Sequence, residues 1–555
     1  MDFKFNKLTA YLAILAIWAC IYLPALGTLH IDFNEGRRIM PAVEMLDSGN
    51  WKVPSLAGEE YFKKPPMINW LIAGSFIVFG DKSEFAARFP SAIAMLAFVS
   101  LLVLMPSGFL DLRARFAAAV IFLTCIGCID SGRQAEIDSV YACVTGMAII
   151  TWLNIWSEKR KSSFGLWFFP SLIIGFGLLL KGPVILLFYY MTVFSVLVSE
   201  RKTKEAMSIF HFIGIVVMLG IFFSWFLSLP KAVRSGNDSK VAGTWVSEIM
   251  MRFRGEELNL GKWPVRVLGA FLNFLPWLIF TPLLFSKRII SGISDKDILL
   301  FKGCRIALVA CLVLVNLMPG TKARYSLPVY GLASMMTAWV LVSVSLPKSE
   351  KIWRNLIVVL SGILTIACIL TMFMIFAGGM NFIHGDLGKG LNSALIEMRS
   401  TYPTMVFCIL STLLAAAIFI YLLKKGVSGT SGLIAASGVL VAILGISAAV
   451  FAFPVMAKFQ KGHDILAEEI NAVTNGKTLF AYKTECEPFF FYIRPSIKFI
   501  IDPGQLDGKA GCLIFRTALQ KELEESGRIP TGNLRELYRF KHRRAEYVLI
   551  ELDGG

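Results

Sequence analysis

Five short stretches of the chain carry residue types that could do chemistry. Asp32, Asn34 and Glu35 stand beside Arg37 and Arg38; Lys63 and Lys64 precede Pro65 and Pro66; Glu136 and Asp138 are two apart; Lys181 interrupts the apolar run "GLLLKGPVILL"; and Lys322, Arg324 and Tyr325 lie in "MPGTKARYSLP". Cations of this kind hold phosphate, Arg as a planar fork and Lys as a point charge, and they stabilise negative charge that grows on a leaving phosphate. A carboxylate nearby can accept the proton of an attacking hydroxyl. Together they suit transfer of a group from a lipid phosphate, a reaction that needs no metal or other cofactor. Each stretch also has a plainer reading. Asp32 to Arg38 reads equally as a helix cap with flanking charges, and Lys181 could reach the interface from a turn. A lysine left at depth costs roughly 2.5–3.5 kcal/mol on insertion scales, so an anion is expected beside it.

The elements that must position these residues are membrane helices. The chain has 555 residues, of which 56% are hydrophobic, with a mean hydropathy of +0.64. Apolar runs long enough to cross the hydrocarbon recur along it, and helix is the backbone solution for them. Spans are expected near 8–28, 89–108, 116–131, 139–156, 164–180, 183–199, 209–229, 265–285, 298–318, 327–346, 353–377, 404–423 and 432–455. The first has a basic flank and no small-residue cleavage site, so it reads as an uncleaved anchor. The stretch "MINWLIAGSFIVFG", 67–80, is short for a crossing. If it lies at the interface, the basic clusters at Lys4/Lys7, Arg113/Arg115, 159–161, Arg201/Lys202/Lys204, 287–288, Lys348/Lys351 and Lys424/Lys425 all fall on one side. The positive-inside tendency therefore favours a cytoplasmic N-terminus, thirteen crossings of the inner membrane and an exported C-terminal domain. With that topology all five polar stretches lie at the exported face.

The net charge of +16 excludes less than it suggests. Residues 457–555 carry 15 Lys and Arg against 14 Asp and Glu, so nearly all the excess lies in the membrane part, and no basic domain offers itself to nucleic acid. The fold class is an all-α polytopic membrane protein with a small C-terminal α/β domain. Its organisation is a membrane domain over 1–456, including a first exported loop at 29–88 with interfacial helices, and an extracytoplasmic domain over 457–555. In the latter, "HDILAEEINAV" has helical periodicity, while "TLFAYK", "IKFII", "GCLIF" and "AEYVLIEL" read as strands. Cys486 and Cys512 could pair if this tail is exported. No His, Cys and carboxylate cluster at metal-ligand spacing is visible, so no metal site is expected. The loop at 230–264, with Trp245, Arg252, Arg254, Glu256 and Glu257, reads either as a cover over the site or as an ordinary amphipathic surface segment.

The stretch "NEGRRIMPAVEMLDSGNWKVPSLAGEEYFKKPPMINWLIAGSFIVFGDKSEFAARFPSA", 34–92, resembles the first exported loop of the glycosyltransferase family 39 and aminoarabinose-transferase group, of the GT-C superfamily. Their pattern is D-E-A-R-Y, then E-M-L-x-x-G-x-W-x-x-P, Y-F-E-K-P-P and F-x-x-R-x-P. Weaker echoes follow in "EIDSVYA", "GLLLKGP" and "KARYSLP". The resemblance implies an inner-membrane glycosyltransferase that moves a sugar from a polyprenyl-phosphate donor to an envelope lipid or protein, by an inverting displacement. It implies that Glu35 and Arg37 belong to the site, that Lys64 holds the polyprenyl phosphate with Lys181 and Arg37, and that Asp138, Arg324 and Tyr325 face substrate. It implies a GT-C fold that works in contact with membrane lipids, as a monomer.

Two departures matter. The family's leading Asp falls on Asn34, and an amide is no proton acceptor at neutral pH. Glu35 then takes that role, or Asp32 reaches in from two positions earlier. Lys63 stands where the family has Glu, so the sugar or acceptor is expected to differ from aminoarabinose on lipid A. Two further readings stay open: a transporter or flippase of lipid-linked sugars, and a non-catalytic relative that binds lipid phosphate.

Overall fold

The structure, a computed structural model, describes residues 5–158, 162–231, 243–244, 261, 263–317, 322–343, 347–376, 402–425, 429–459, 463–484, 487–493, 497–527, 529, 535–542 and 545–552. The loop with Trp245, Arg252, Arg254, Glu256 and Glu257 lies outside them, as does Cys486, so its pairing with Cys512 is not described. Cys512 is a buried free thiol. By compactness the chain divides into two units. The membrane unit comprises 1–29, 63–68 and 88–459; the polar unit comprises 30–62, 69–87 and 460–555. The sequence pattern alone assigns the first polar loop to the membrane domain. In the fold it joins the tail, because Met40 and Leu56 of the loop sit in the tail's hydrophobic core.

In the membrane unit the first helices are α1 (Lys7–Tyr22), α4 (Glu84–Leu104), α5 (Leu112–Thr124), α6 (Ile126–Gly132), α7 (Ile137–Ser157), α8 (Ser163–Lys181), α9 (Val184–Ser199) and α10 (Ile209–Ser228). After them come α11 (Trp263–Leu272), α12 (Ile298–Leu317), α13 (Leu327–Ser343), α14 (Pro347–Phe376), α15 (Tyr402–Lys425) and α16 (Thr430–Ser447). Among the described residues eight helices are long and apolar enough to cross a bilayer, or ten if each of two bent pairs is one span. Shorter apolar helices lie at Lys7–Tyr22, Met67–Phe79, Val184–Ser199 and Thr412–Tyr421.

The two bent pairs are α5 with α6, broken by 65°, and α11 with the 3-10 segment Trp277–Phe285, broken by 93°. A break frees backbone donors that hydrocarbon cannot satisfy. These two breaks satisfy each other: the N–H groups of Ile126 and Gly127 donate to the carbonyls of Leu275 and Asn273, at 3.0 and 2.8 Å. Trp277 Nε1 adds a bond of 2.8 Å to Thr124 Oγ1. Elsewhere helices approach through small residues. A Cβ on Gly303 of α12 would stand 2.6 Å from Val196 Cα of α9, so only glycine allows that contact.

In the polar unit, α2 (Phe33–Ser48) leads to a two-stranded hairpin, β1 (Ser55–Leu56) with β2 (Glu59–Glu60), and then to α3 (Met67–Phe79), most of which belongs to this unit. At 13 residues α3 spans about 20 Å at 1.5 Å per residue, too short for a crossing. The hairpin turn places Ala57 and Gly58 at positive φ, 55° and 79°, the backbone that a tight hairpin requires. Glu44 of α2 holds the hairpin. Its carboxylate accepts from the Ser55 hydroxyl at 2.5 Å and from the Ala57 N–H at 2.7 Å.

The tail forms one sheet from β3 (Leu479–Tyr482), β4 (Ile497–Ile500), β5 (Gly511–Arg516), β6 (Glu536–His542) and β7 (Ala545–Leu552), in the order β4-β3-β5-β7-β6. β4, β3 and β5 are parallel; β5, β7 and β6 are antiparallel. Alternate residues of β5 enter two separate cores, Cys512 and Ile514 on one face, Leu513 and Phe515 on the other. That is why "GCLIF" is apolar throughout. The helix α17 (His463–Thr474) covers the first face through Ala467 and Ile470.

Candidate active site

Three helix ends of the membrane unit carry the charged residues. Glu136 is the N-cap of α7 and Asp138 lies in its first turn, where the helix dipole favours a carboxylate. Lys181 is the last residue of α8, where the same dipole favours a cation. Gly182, at φ 72°, then turns the chain so that Pro183 can begin the next helix. Arg324 and Tyr325 lie in a 3-10 turn, Ala323–Ser326, directly ahead of α13.

These ends converge on one cluster. Lys181 Nζ forms an ion pair and hydrogen bond with Asp138 Oδ1. Arg324 Nη1 lies 2.5 Å from Glu136 Oε1, and Arg324 Nε lies 3.0 Å from Asp138 Oδ2. Asp138 therefore bridges both cations. The Lys181 ammonium sits 4.4 Å from the centroid of the Tyr325 ring and 5.3 Å from that of Tyr141. Glu136, Asp138 and Lys181 are nearly withdrawn from solvent, while the Arg324 side chain keeps 27% exposure. Two cations and two carboxylates make the cluster formally neutral. The anion expected beside Lys181 is thus supplied by the protein, 43 residues away in sequence. The burial of Lys181 alone does not demand a phosphate.

The same unit holds an apolar cavity of about 720 Å³, which no residue of the cluster lines. Trp263, Val267, Phe271, Leu312, Val329 and Tyr330 are among its walls. Asn316, which also lines it, donates to Ser326 Oγ at 3.4 Å in the turn that carries Arg324 and Tyr325. The cavity is apolar, and this one bond links its wall to the turn that carries Arg324 and Tyr325. Lys64 belongs to the membrane unit as well; it is half-buried and followed by Pro65 and Pro66, both buried. Pro65 and Pro66 directly precede α3, whose first residue is Met67, and their rings fix φ ahead of the helix.

The remaining expected residues lie on α2 of the polar unit. Asp32 is its N-cap and Glu35 its third residue, joined in a reciprocal capping box. The Glu35 N–H donates to Asp32 Oδ1 at 2.8 Å, and the Asp32 N–H donates to Glu35 Oε2 at 3.2 Å. Asp32 is exposed and Glu35 almost wholly buried. The two readings of Asp32, cap and chemistry, thus fall on one carboxylate. Asn34 is half-buried; Arg37 is exposed, its guanidinium 4.3 Å from the Phe33 ring centroid. Arg38 donates to the Tyr61 hydroxyl at 2.9 Å, which ties α2 to the "YFKKPP" stretch.

Sequence reasoning missed Tyr141 as a member of the cluster. Its spacing of three from Asp138 on one helix was the available signal. Glu136 stands out in the sequence only through its closeness to Asp138. Among the described residues no three metal-ligating side chains gather into a site.

The chain is similar to known proteins along most of its length. Residues 63–227 match the family described as Dolichyl-phosphate-mannose-protein mannosyltransferase. The undecaprenyl phosphate-alpha-4-amino-4-deoxy-L-arabinose arabinosyl transferase of Serratia proteamaculans is 27% identical over 381 residues, 67% of this chain and 66% of that protein. The protein of the same name in Yersinia enterocolitica is 29% identical over 223 residues, 40% of each chain. The matched segments thus span just under two thirds, and two fifths, of those relatives. Among solved structures, ArnT from Cupriavidus metallidurans bound to undecaprenyl phosphate superposes with a TM-score of 0.66 at 17% identity, covering 98% of this chain and 97% of that one. Its apo form gives 0.65 at 15% identity with the same coverage. At that identity the likeness establishes the fold.

Proposed function

We propose that this chain, an aminoarabinose-transferase-like protein with the GT-C fold, moves a sugar from a polyprenyl-phosphate donor to an envelope acceptor at the exported face of the inner membrane. The observation that carries the reading is the charged cluster of Asp138, Lys181, Arg324 and Tyr325 in the unit that also holds an apolar cavity. The prenyl tail lies in the cavity, and its phosphate is met by Lys64, Arg324 and Lys181, with Arg37 contributing from α2. Lys181 has three N–H donors and uses one on Asp138, so it can serve both anions. The acceptor hydroxyl attacks the anomeric carbon as the sugar–phosphate bond breaks, inverting that carbon and releasing the prenyl phosphate. The hydroxyl's proton passes to Glu35 or, in its place, to Asp32. The cations oppose the charge that grows on the leaving phosphate. No step calls for a cofactor, and the chain acts as a monomer with its N-terminus cytoplasmic and its tail exported.

The test gives the purified full chain, in lipid nanodiscs, a polyprenyl-phosphate sugar and candidate lipid and protein acceptors. Transfer is expected, with a loss of at least a hundredfold in Glu35→Gln with Asp32→Asn, measured singly and together. Undiminished transfer in all three variants would remove the proposed base. Asn34, an amide where the family pattern has Asp, favours a second reading, a lipid-phosphate-binding protein without turnover. It predicts tight donor binding with zero product for every donor and acceptor tried.

A further inference from the structure

The polar unit contains a second cavity, to which the reaction above assigns no group. Its volume is about 1130 Å³, a little above the ~300–1,000 Å³ usual for ligand sites. One wall is α2, with Val43, Glu44 and Asp47; a second is the turn from Asp81 to Glu84; a third is the tail, with Phe491, Tyr492, Lys498 and Phe499. The tail therefore supplies aromatic surface and the other walls supply carboxylates.

The charges select the ligand. Four carboxylates and two lysines line the cavity. Asp47 is matched by Lys82 at 2.6 Å, and Glu44 is committed to the hairpin. Asp81 and Glu84 remain, with Ser83 Oγ donating to Asp81 at 3.0 Å. Acceptor groups of this kind take hydroxyl or ammonium donors and repel phosphate. Partly exposed aromatic rings, here Phe491 and Phe499, present an apolar face to the C–H face of a sugar and attract a nearby cation.

The location selects how the ligand is held. Glu84 lines the cavity and is also the first residue of the span Glu84–Leu104. Just before the same turn, Ile77, Val78 and Phe79 at the end of α3 are 60%, 80% and 42% exposed, and this apolar tip is suited to lipid. The cavity wall thus includes the first residue of a membrane span, and the chain leaves the apolar end of α3 two residues before it enters that wall at Asp81. We propose that the cavity binds the uncharged or amine-bearing glycan headgroup of a membrane-anchored glycolipid. The proposal rests on the transfer reading only in making that glycolipid the acceptor.

The experiment uses the full chain held in amphipol and three probes with the same tail: octyl glucoside, octyl 2-amino-2-deoxyglucoside and octyl phosphate, each below its micellar range. The two glycosides are expected to bind at least tenfold more tightly than the phosphate. Asp81→Asn with Glu84→Gln should weaken the amine-bearing probe at least fivefold more than the neutral one. Phe491→Leu should weaken both glycosides. Because Phe491 also stacks on Phe76 at 6.4 Å, the exposed Lys498→Glu provides a variant outside the core; it should tighten the amine-bearing probe. Equal binding of octyl phosphate, or dissociation constants within twofold of the parent in every variant, would overturn the proposal. A chain without transfer activity that still binds glycosides this way would sink the transfer reading alone. Transfer whose acceptor KM is unmoved by the cavity variants would sink the cavity as the acceptor site alone.

Discussion

At the scale of single residues, Asp138 does two jobs that substitution can separate. It neutralises Lys181 and Arg324, and in the proposed reaction it holds them for the donor phosphate. Asp138→Asn leaves a buried ammonium uncompensated, and breaking such a pair costs about 3–5 kcal/mol. Adding Lys181→Met removes the orphaned charge, so the double variant should recover much of the lost melting temperature while transfer stays lost. Recovery of both together would mean the pair is structural only. Glu44 offers a pH test outside the membrane spans. Burial pushes its carboxyl above the ordinary value, against the pull of the Ser55, Ala57 and Gly58 hydrogen bonds. The folded chain then holds that proton more tightly than the unfolded chain. Its contribution is fully present below about 4.3 and is lost as pH rises through the raised value. Glu44→Gln removes the dependence, so the parent's melting temperature should fall relative to the variant as pH rises above about 4.3; parallel curves would contradict this. The same scale shows how far sequence reading reaches. Asp138 and Lys181 are each legible as unusual charges at span ends, but nothing local joins residues 43 apart. The capping box of Asp32 and Glu35 is a local signal, spaced by three residues, and is legible as a cap.

At the scale of elements, the long apolar runs are legible at their right positions because hydrophobicity sustained over a whole span fits little besides a membrane helix. Four strands and a helix of the tail are legible for a similar reason, since their apolar patterns match what the two cores bury. β6 is not. It is an edge strand with charges at Glu536, Arg539 and Lys541, and its ladder with β7 carries a register shift between Glu536 and Tyr538. Edge strands use such charges against unwanted pairing, and the same charges hide them. Helix contacts make a sharper prediction. Gly303→Ala would drive a Cβ to 3.0 Å from the Ser195 carbonyl as well as into Val196 Cα, and backbone cannot step aside. A loss of about 1–3 kcal/mol is expected in thermal unfolding. Gly74→Ala in α3 meets nothing within 4 Å and should be neutral or gain about 0.5–1 kcal/mol. Equal effects at the two sites would refute close approach as the reason for glycine at Gly303.

At the scale of the whole molecule, the sequence shows where polar and apolar parts begin but not which polar parts share a core. Met40 and Leu56 precede the tail by some four hundred positions, and only folding brings them beside Ile470, Phe489 and Leu549. Removing residues 460–555 should therefore expose α2 and the hairpin. Limited proteolysis of the truncated chain should cut within 30–62, where the full chain resists; an unchanged pattern would show that the first loop holds itself. The crossed bonds between the two broken spans reach further. Ile126 and Gly127 leave the ribosome about 150 residues before Leu275 and Asn273, which accept their N–H groups. During synthesis the earlier segment must wait, its amides sheltered by water or the insertion machinery, until its partner enters the bilayer. Biogenesis of this protein thus has an obligatory late rendezvous, and a ribosome stalled before residue 273 should leave a nascent chain whose early helices are inserted yet still unlatched.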